Sequence, residues 1–150
     1  MNIEWNSYYK PVNENIIQEC CYEWPNSLKQ LYEIGDCPFI QDKEDKAPAY
    51  NIPELNNGIG FATYFLAIDP ETGHDSYYRV SEYFSDLMLK EYTPIACDGG
   101  GEYLLFKSGR QEDQSIWHFS PNFRLDRHKQ LFKVANNFDD FLTAIKFIAL

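Results

Sequence analysis

Seven side chains in this 150-residue sequence are of types that ligate metals or act as nucleophiles: Cys20, Cys21, Cys37, Cys97, His74, His118 and His128. No two of them stand at the Cys-x-x-Cys or His-x-x-x-His spacing that puts ligands on one side of a turn or helix, so no metal site is expected. Cys20 and Cys21 are neighbours on a predicted helix, where adjacent side chains diverge by about 100°. Buried cysteine commonly serves as a small apolar residue, and that is the reading adopted for all four, as reduced thiols. No Gly-x-Ser-x-Gly elbow is present, and no cysteine has a recognisable catalytic context, so no catalytic residue is assigned. Gly99-Gly100-Gly101 invites comparison with a phosphate loop. Such loops lie between a strand and a helix, whereas here Glu102 and a strand follow, and Glu102 would repel a phosphate. A tight hairpin needing positive φ explains the glycines better, and no cofactor is expected. The acidic pairs Glu44-Asp45 and Glu112-Asp113 lie in turns with no apolar surround to raise a pKa, so they read as solvated faces or contacts to a cationic partner rather than acid–base chemistry.

The elements that must carry these residues follow from periodicity. Asn13 is a plausible N-cap for a helix with Ile16, Ile17, Cys20, Cys21 and Trp24 at helical spacing, which Pro25 breaks. Pro25-Asn26-Ser27 opens a second short helix with Leu28, Leu31 and Tyr32 on one face and Gly35 as its stop. Residues 36–50 read as an exposed loop, rich in charge and proline. Ile59 to Ile68 is nearly all apolar and reads as one central strand covered on both faces. The turn 69–73 leads to a helix over Tyr78–Leu89. A meander follows, with strands at 94–97, 102–107 and 115–119 and a further one at 131–135. Asn136-Asn137 caps a last helix with Phe138, Phe141, Leu142, Ile145 and Ile148 as its buried stripe and Asp139 and Asp140 in its first turn. This order defines an α+β fold class: a single domain over 1–150 with a central, mostly antiparallel sheet and helices packed on it.

Composition narrows the partners. The net charge is −10, and it is uneven: residues 1–106 hold 18 acidic and 6 basic side chains, residues 107–150 hold 5 and 7. Nucleic acid and anionic membrane surfaces both demand clustered Lys and Arg, so neither is expected. A basic protein would be drawn by such a field. Aromatics make up 17% of the chain, enough to furnish a core and still leave tyrosines for an interface. The N-terminus lacks the cationic start and apolar run of a signal peptide, and no stretch approaches the ~18 apolar residues of a membrane span. A cytoplasmic location is the expectation.

Four segments, in order, resemble the SUKH superfamily, typified by yeast cell-wall assembly regulators and many bacterial immunity proteins. The run from Trp24-Pro25 through Tyr32 looks like its proline-then-short-helix element. Thr93 to Phe106 is similar to its proline-isoleucine-alanine, acidic, glycine-glycine, apolar-strand hairpin. Ser115 to Phe119 looks like the strand that follows, and Val134 to Leu142 resembles the closing helix with its paired phenylalanines. The resemblance implies an α+β fold and a non-catalytic immunity protein that neutralises a cognate toxin domain, often a nuclease or deaminase. The alternative it carries is a regulatory scaffold for a cellular protein. Residues 36–50 match no part of the pattern, which makes them a place for partner specificity. The expected toxin contacts are acidic residues on loops: Asp42, Glu44 and Asp45, then Glu71 and Asp75, then Glu112 and Asp113. A monomer or weak dimer is expected.

Overall fold

The computed structural model describes residues 3–21, 23–55, 58–71, 77–87, 89, 91–108, 113–121 and 130–149. Four helices and ten strands are described, and all the strand pairings among them are antiparallel. β1 (Trp5–Ser7) pairs with β2 (Pro38–Ile40). β3 (Lys46–Asn51) lies between β4 (Ile59–Phe61) and β10 (Lys146–Ala149). The largest sheet runs in the order β5 (Tyr64–Phe65), β6 (Tyr92–Cys97), β7 (Tyr103–Lys107), β8 (Ile116–Phe119), β9 (Leu131–Ala135). The helices are α1 (Glu14–Cys20), α2 (Asn26–Ile34), α3 (Tyr77–Asp86) and α4 (Phe138–Ala144). This is the α+β class expected, with an antiparallel meander at its centre.

The apolar run of β7 has a simple cause. Leu104 and Phe106 enter the main core with Leu28, Tyr32, Phe138 and Phe141, while Leu105 points the other way, into a second core under α3 with Val80, Phe84 and Phe119. Successive strand residues face opposite sides, so a strand buried on both must be apolar throughout. His118 shares the main-core face with Ile116, two residues before it.

The local signals held. Asn13 caps α1 through its side-chain oxygen, which accepts from the Asn15 amide at 2.8 Å. Asn137 caps α4 in the same way, accepting from Asp140 at 2.7 Å. Gly99 and Gly101 adopt φ of 84° and 95° in the β6–β7 turn. Asp98 closes that turn by accepting from the Gly100 and Glu102 amides at 2.7 and 3.1 Å. Gly35 does end α2, but with extended backbone (φ 176°). A Cβ there would run into the Ser7 side chain and lie 2.7 Å from the Tyr9 carbonyl, so close approach is what demands glycine.

Four expectations are corrected. Residues 36–50 are not a loose loop: they hold β2, a two-residue turn and β3, the middle strand of its sheet. Ile59 to Ile68 is not one strand. It bends at Ala62-Thr63, so that β4 and β5 serve different sheets. A Cβ on Gly60 would lie 2.7 Å from the Tyr50 ring, so the close approach of β4 to β3 requires glycine there. The first helix ends at Cys20, leaving Cys21 and Trp24 buried beyond it. The last helix ends at Ala144, so that Ile145 is buried as its cap and Ile148 belongs to β10.

Candidate binding surface

Five of the seven acidic residues singled out from the sequence lie among the described residues, and those five do not gather at one place. Asp42, Glu44 and Asp45 sit on the hairpin between β2 and β3. Lys43 and Lys46 exchange both backbone hydrogen bonds, at 3.1 and 2.8 Å. Glu44 and Asp45 between them have φ of 49° and 61°. Positive φ at both central residues is the type I′ turn, whose twist matches that of the flanking strands. The tip is therefore a fixed presentation of two carboxylates. Both are exposed, and neither makes an ion pair with a described residue. Lys43 turns back instead, its ammonium 4.9 Å from the centre of the Phe147 ring. Asp42 lines a shallow groove of about 320 Å³ with Pro48, Phe61, Thr63 and Asp98.

Glu71 belongs to a second groove, of about 560 Å³, together with Asp69, Tyr8, Tyr9 and Lys10. Asp113 lies in neither groove. Its carboxylate accepts from the Ser115 hydroxyl and amide at 2.7 and 3.2 Å and sits 3.6 Å from the Lys107 ammonium. These hydrogen bonds, with Lys107 adding to them, hold its pKa below the usual aspartate value. It is thus occupied within the fold. Asp75 and Glu112 lie outside the described residues, as do His74 and His128.

One assembled set of titratable groups escaped the sequence reading. The buried His118 (1% exposed) bridges Glu102, whose Oε1 lies 2.8 Å from Nε2, and Tyr50, whose hydroxyl lies 2.7 Å from Nδ1. A carboxylate only accepts, so Nε2–H donates to Glu102; in the neutral imidazole Nδ1 then accepts from the Tyr50 hydroxyl. Burial, with the nearby carboxylates of Asp98 and Glu102, pushes the Tyr50 pKa well up and keeps that proton in place. The three residues come from β3, the β6–β7 turn and β8, so the relay ties one sheet to another. Only Glu102 reaches the surface, its side chain one-quarter exposed. The arrangement satisfies polar groups that the fold removes from water. The alternation of β8 would have placed His118 inward, but nothing local announces Tyr50 as its partner 68 residues away.

Asp36 is the buried carboxylate among the described residues, 1% exposed. Its carboxylate accepts from the amides of Cys37 (3.0 Å), Ile68 (2.9 Å) and Asp69 (3.2 Å). The four cysteines are thiols, and among the described residues no three ligand-type side chains cluster as a metal would need. Cys20 closes α1 and Cys21 follows it, buried. The neighbouring Cys21 thiol, with Tyr78 adding to it and burial opposing, holds the Cys20 pKa below the usual thiol value, and the Cys20 thiol together with burial raises that of Cys21.

A meander sheet with an apolar core on each face and helices packed against it defines an α+β fold. The chain matches the family model described as SMI1 / KNR4 family (SUKH-1) over residues 13–144, and it belongs to that family. No curated protein and no solved structure matches it. No helix among the described residues is long and apolar enough to cross a membrane.

Proposed function

We propose that the protein is an immunity protein that acts in the cytoplasm by binding and masking a basic toxin domain. The observation that carries this reading is the hairpin tip. Glu44 and Asp45 stand exposed in a fixed type I′ turn, without an internal ion-pair partner, on a chain of net charge −10. Exposed acids on a rigid hairpin raise the encounter rate with a cationic surface and need no rearrangement on docking. Family membership supports a protein partner and leaves its identity to experiment. The reading assigns no catalytic residue and no cofactor.

Capture of partners from the native host, followed by mass spectrometry and rapid-mixing kinetics, tests it. A toxin domain of basic character should be retained. Its on-rate should fall steeply between low and high salt, and less steeply for the Glu44→Gln/Asp45→Asn variant. An on-rate indifferent to salt overturns the electrostatic part. Retention of a host regulatory protein, with no toxin, decides for the scaffold alternative.

A further inference from the structure

The groove formed by Tyr8, Tyr9, Lys10, Asp69 and Glu71 has the chemistry of a receptor for a guanidinium group. Tyr8 and Tyr9 are the two consecutive large aromatics left exposed, at 60% and 48%. Tyr8 is exposed but not loose. Phe39 packs against its ring at 4.5 Å between centroids, and Tyr64 meets it edge-on at 6.4 Å. Two carboxylates, those of Asp69 and Glu71, line the same groove. Asp69 folds over its own turn, accepting from the Glu71 amide at 3.0 Å, which fixes the Glu71 backbone in line with it.

Both walls hang on one residue. The Tyr9 amide donates to the Asp36 carbonyl at 3.2 Å, and the Asp36 amide donates to the Lys10 carbonyl at 3.0 Å. The Asp36 carboxylate meanwhile holds the Ile68 and Asp69 amides of the other wall. Tyr8 is tied alongside, donating to the Cys37 carbonyl at 3.3 Å. Two segments some sixty residues apart are thus set at a fixed separation by a buried aspartate. A cleft of about 560 Å³ falls within the range of roughly 300–1,000 Å³ typical of sites for small organic groups.

We infer that this groove receives an arginine side chain from a loop of a basic protein partner. Guanidinium stacks on aromatic faces and pairs with carboxylates in a planar fork, and it sheds water more readily than ammonium does. Tyrosine faces beside two carboxylates match both halves of that chemistry. Among the described residues that line the groove, Lys10 is the one cation, so the same geometry makes it an antagonist. The inference rests on the binding-module reading for the source of the arginine, but the groove's preference can be measured without any partner.

The test is an amide NMR titration of the whole chain at low salt with N-acetyl-arginine amide, with the N-acetyl-citrulline amide as the uncharged isostere. Shifts should concentrate at Tyr8 to Lys10 and Asp69 to Glu71 and be absent with citrulline. Tyr8→Ala should weaken binding about tenfold and Tyr8→Phe should retain it, since the ring face carries the contact. Glu71→Gln should weaken binding and Lys10→Gln should strengthen it. Equal responses to arginine and citrulline, or shifts centred on the hairpin of Asp42 to Asp45, overturn the inference. So does a captured protein partner whose affinity is unchanged by both Tyr8→Ala and Glu71→Gln. Arginine seated in the groove of a chain that captures no protein overturns the binding-module reading and leaves the groove standing.

Discussion

Two acidic regions of this molecule use their carboxylates in opposite ways. Glu102 is joined through His118 to Tyr50, and the contacts run inward to give both ring nitrogens and the tyrosine hydroxyl a partner. Glu44 and Asp45 face outward on a turn of equally fixed geometry and have none. The difference is one of solvent. Polar groups removed from water cost free energy unless they are hydrogen-bonded, so an interior constellation must be complete before the fold is stable. Carboxylates that remain hydrated incur no such cost and can stay unpaired until another molecule supplies the cation. A closed polar set therefore marks what holds this protein together, and an open one marks where it can be met. Asp36 joins the two uses: it is itself fully buried, and what it orders is an exposed groove.

If that division is right, interior changes should alter stability while surface changes alter association. The largest effect is expected at Phe141, fully buried with its ring 5.2 Å from that of Tyr50. Phe141→Ala should cost about 3–5 kcal/mol in denaturant unfolding. A cost below one kcal/mol would remove α4 from the core. Next comes His118→Ala, which strands the Tyr50 hydroxyl and part of Glu102. It should cost about 1–3 kcal/mol, with Tyr50→Phe in the same background recovering some of it, because the orphaned hydroxyl goes with it. Failure of the second change to recover anything would mean that the relay is not coupled. Smaller still is Glu44→Gln/Asp45→Asn. Its unfolding free energy should stay within about 0.5 kcal/mol of the parent, and a larger loss would make the tip structural. The mildest test concerns thiols. Native-state alkylation followed by peptide mapping should modify Cys20 first, since it is half-buried and its pKa is lowered, while Cys21, Cys37 and Cys97 are buried. Simultaneous labelling of Cys97 would show that the second core opens easily.

Much of the scaffold was legible because its causes are local. An asparagine before an apolar 3.6-residue stripe became a cap at both Asn13 and Asn137. Three glycines between an aspartate and an apolar run became the β6–β7 turn, and the four later strands fell at or near their expected places. Residues 36–50 misled because charge and proline, which signal loops, are also compatible with a hairpin whose strand is sheltered by others. Pro48 is buried within β3, opposite Phe147 of β10. The bend at Ala62-Thr63 carries no breaker residue. It exists because two different sheets claim the two halves of one apolar run.

The acidic candidates divide along the same line. Their identity and their tendency to lie on turns came from sequence, as did the charge that points to a basic partner. Whether each one is free was decided elsewhere. Asp113 is held by Ser115 and Lys107, while Glu44 and Asp45 stand apart because Lys43 turns toward Phe147. Glu71 gained Tyr8 and Tyr9 as neighbours through Asp36. Composition and periodicity act over a few residues, so the sequence by itself determined the helices, the caps, the meander and the sign of the field. The polar relay and the tyrosine groove join residues more than sixty positions apart. Only the packing of one sheet and one buried carboxylate against distant backbone could bring them together.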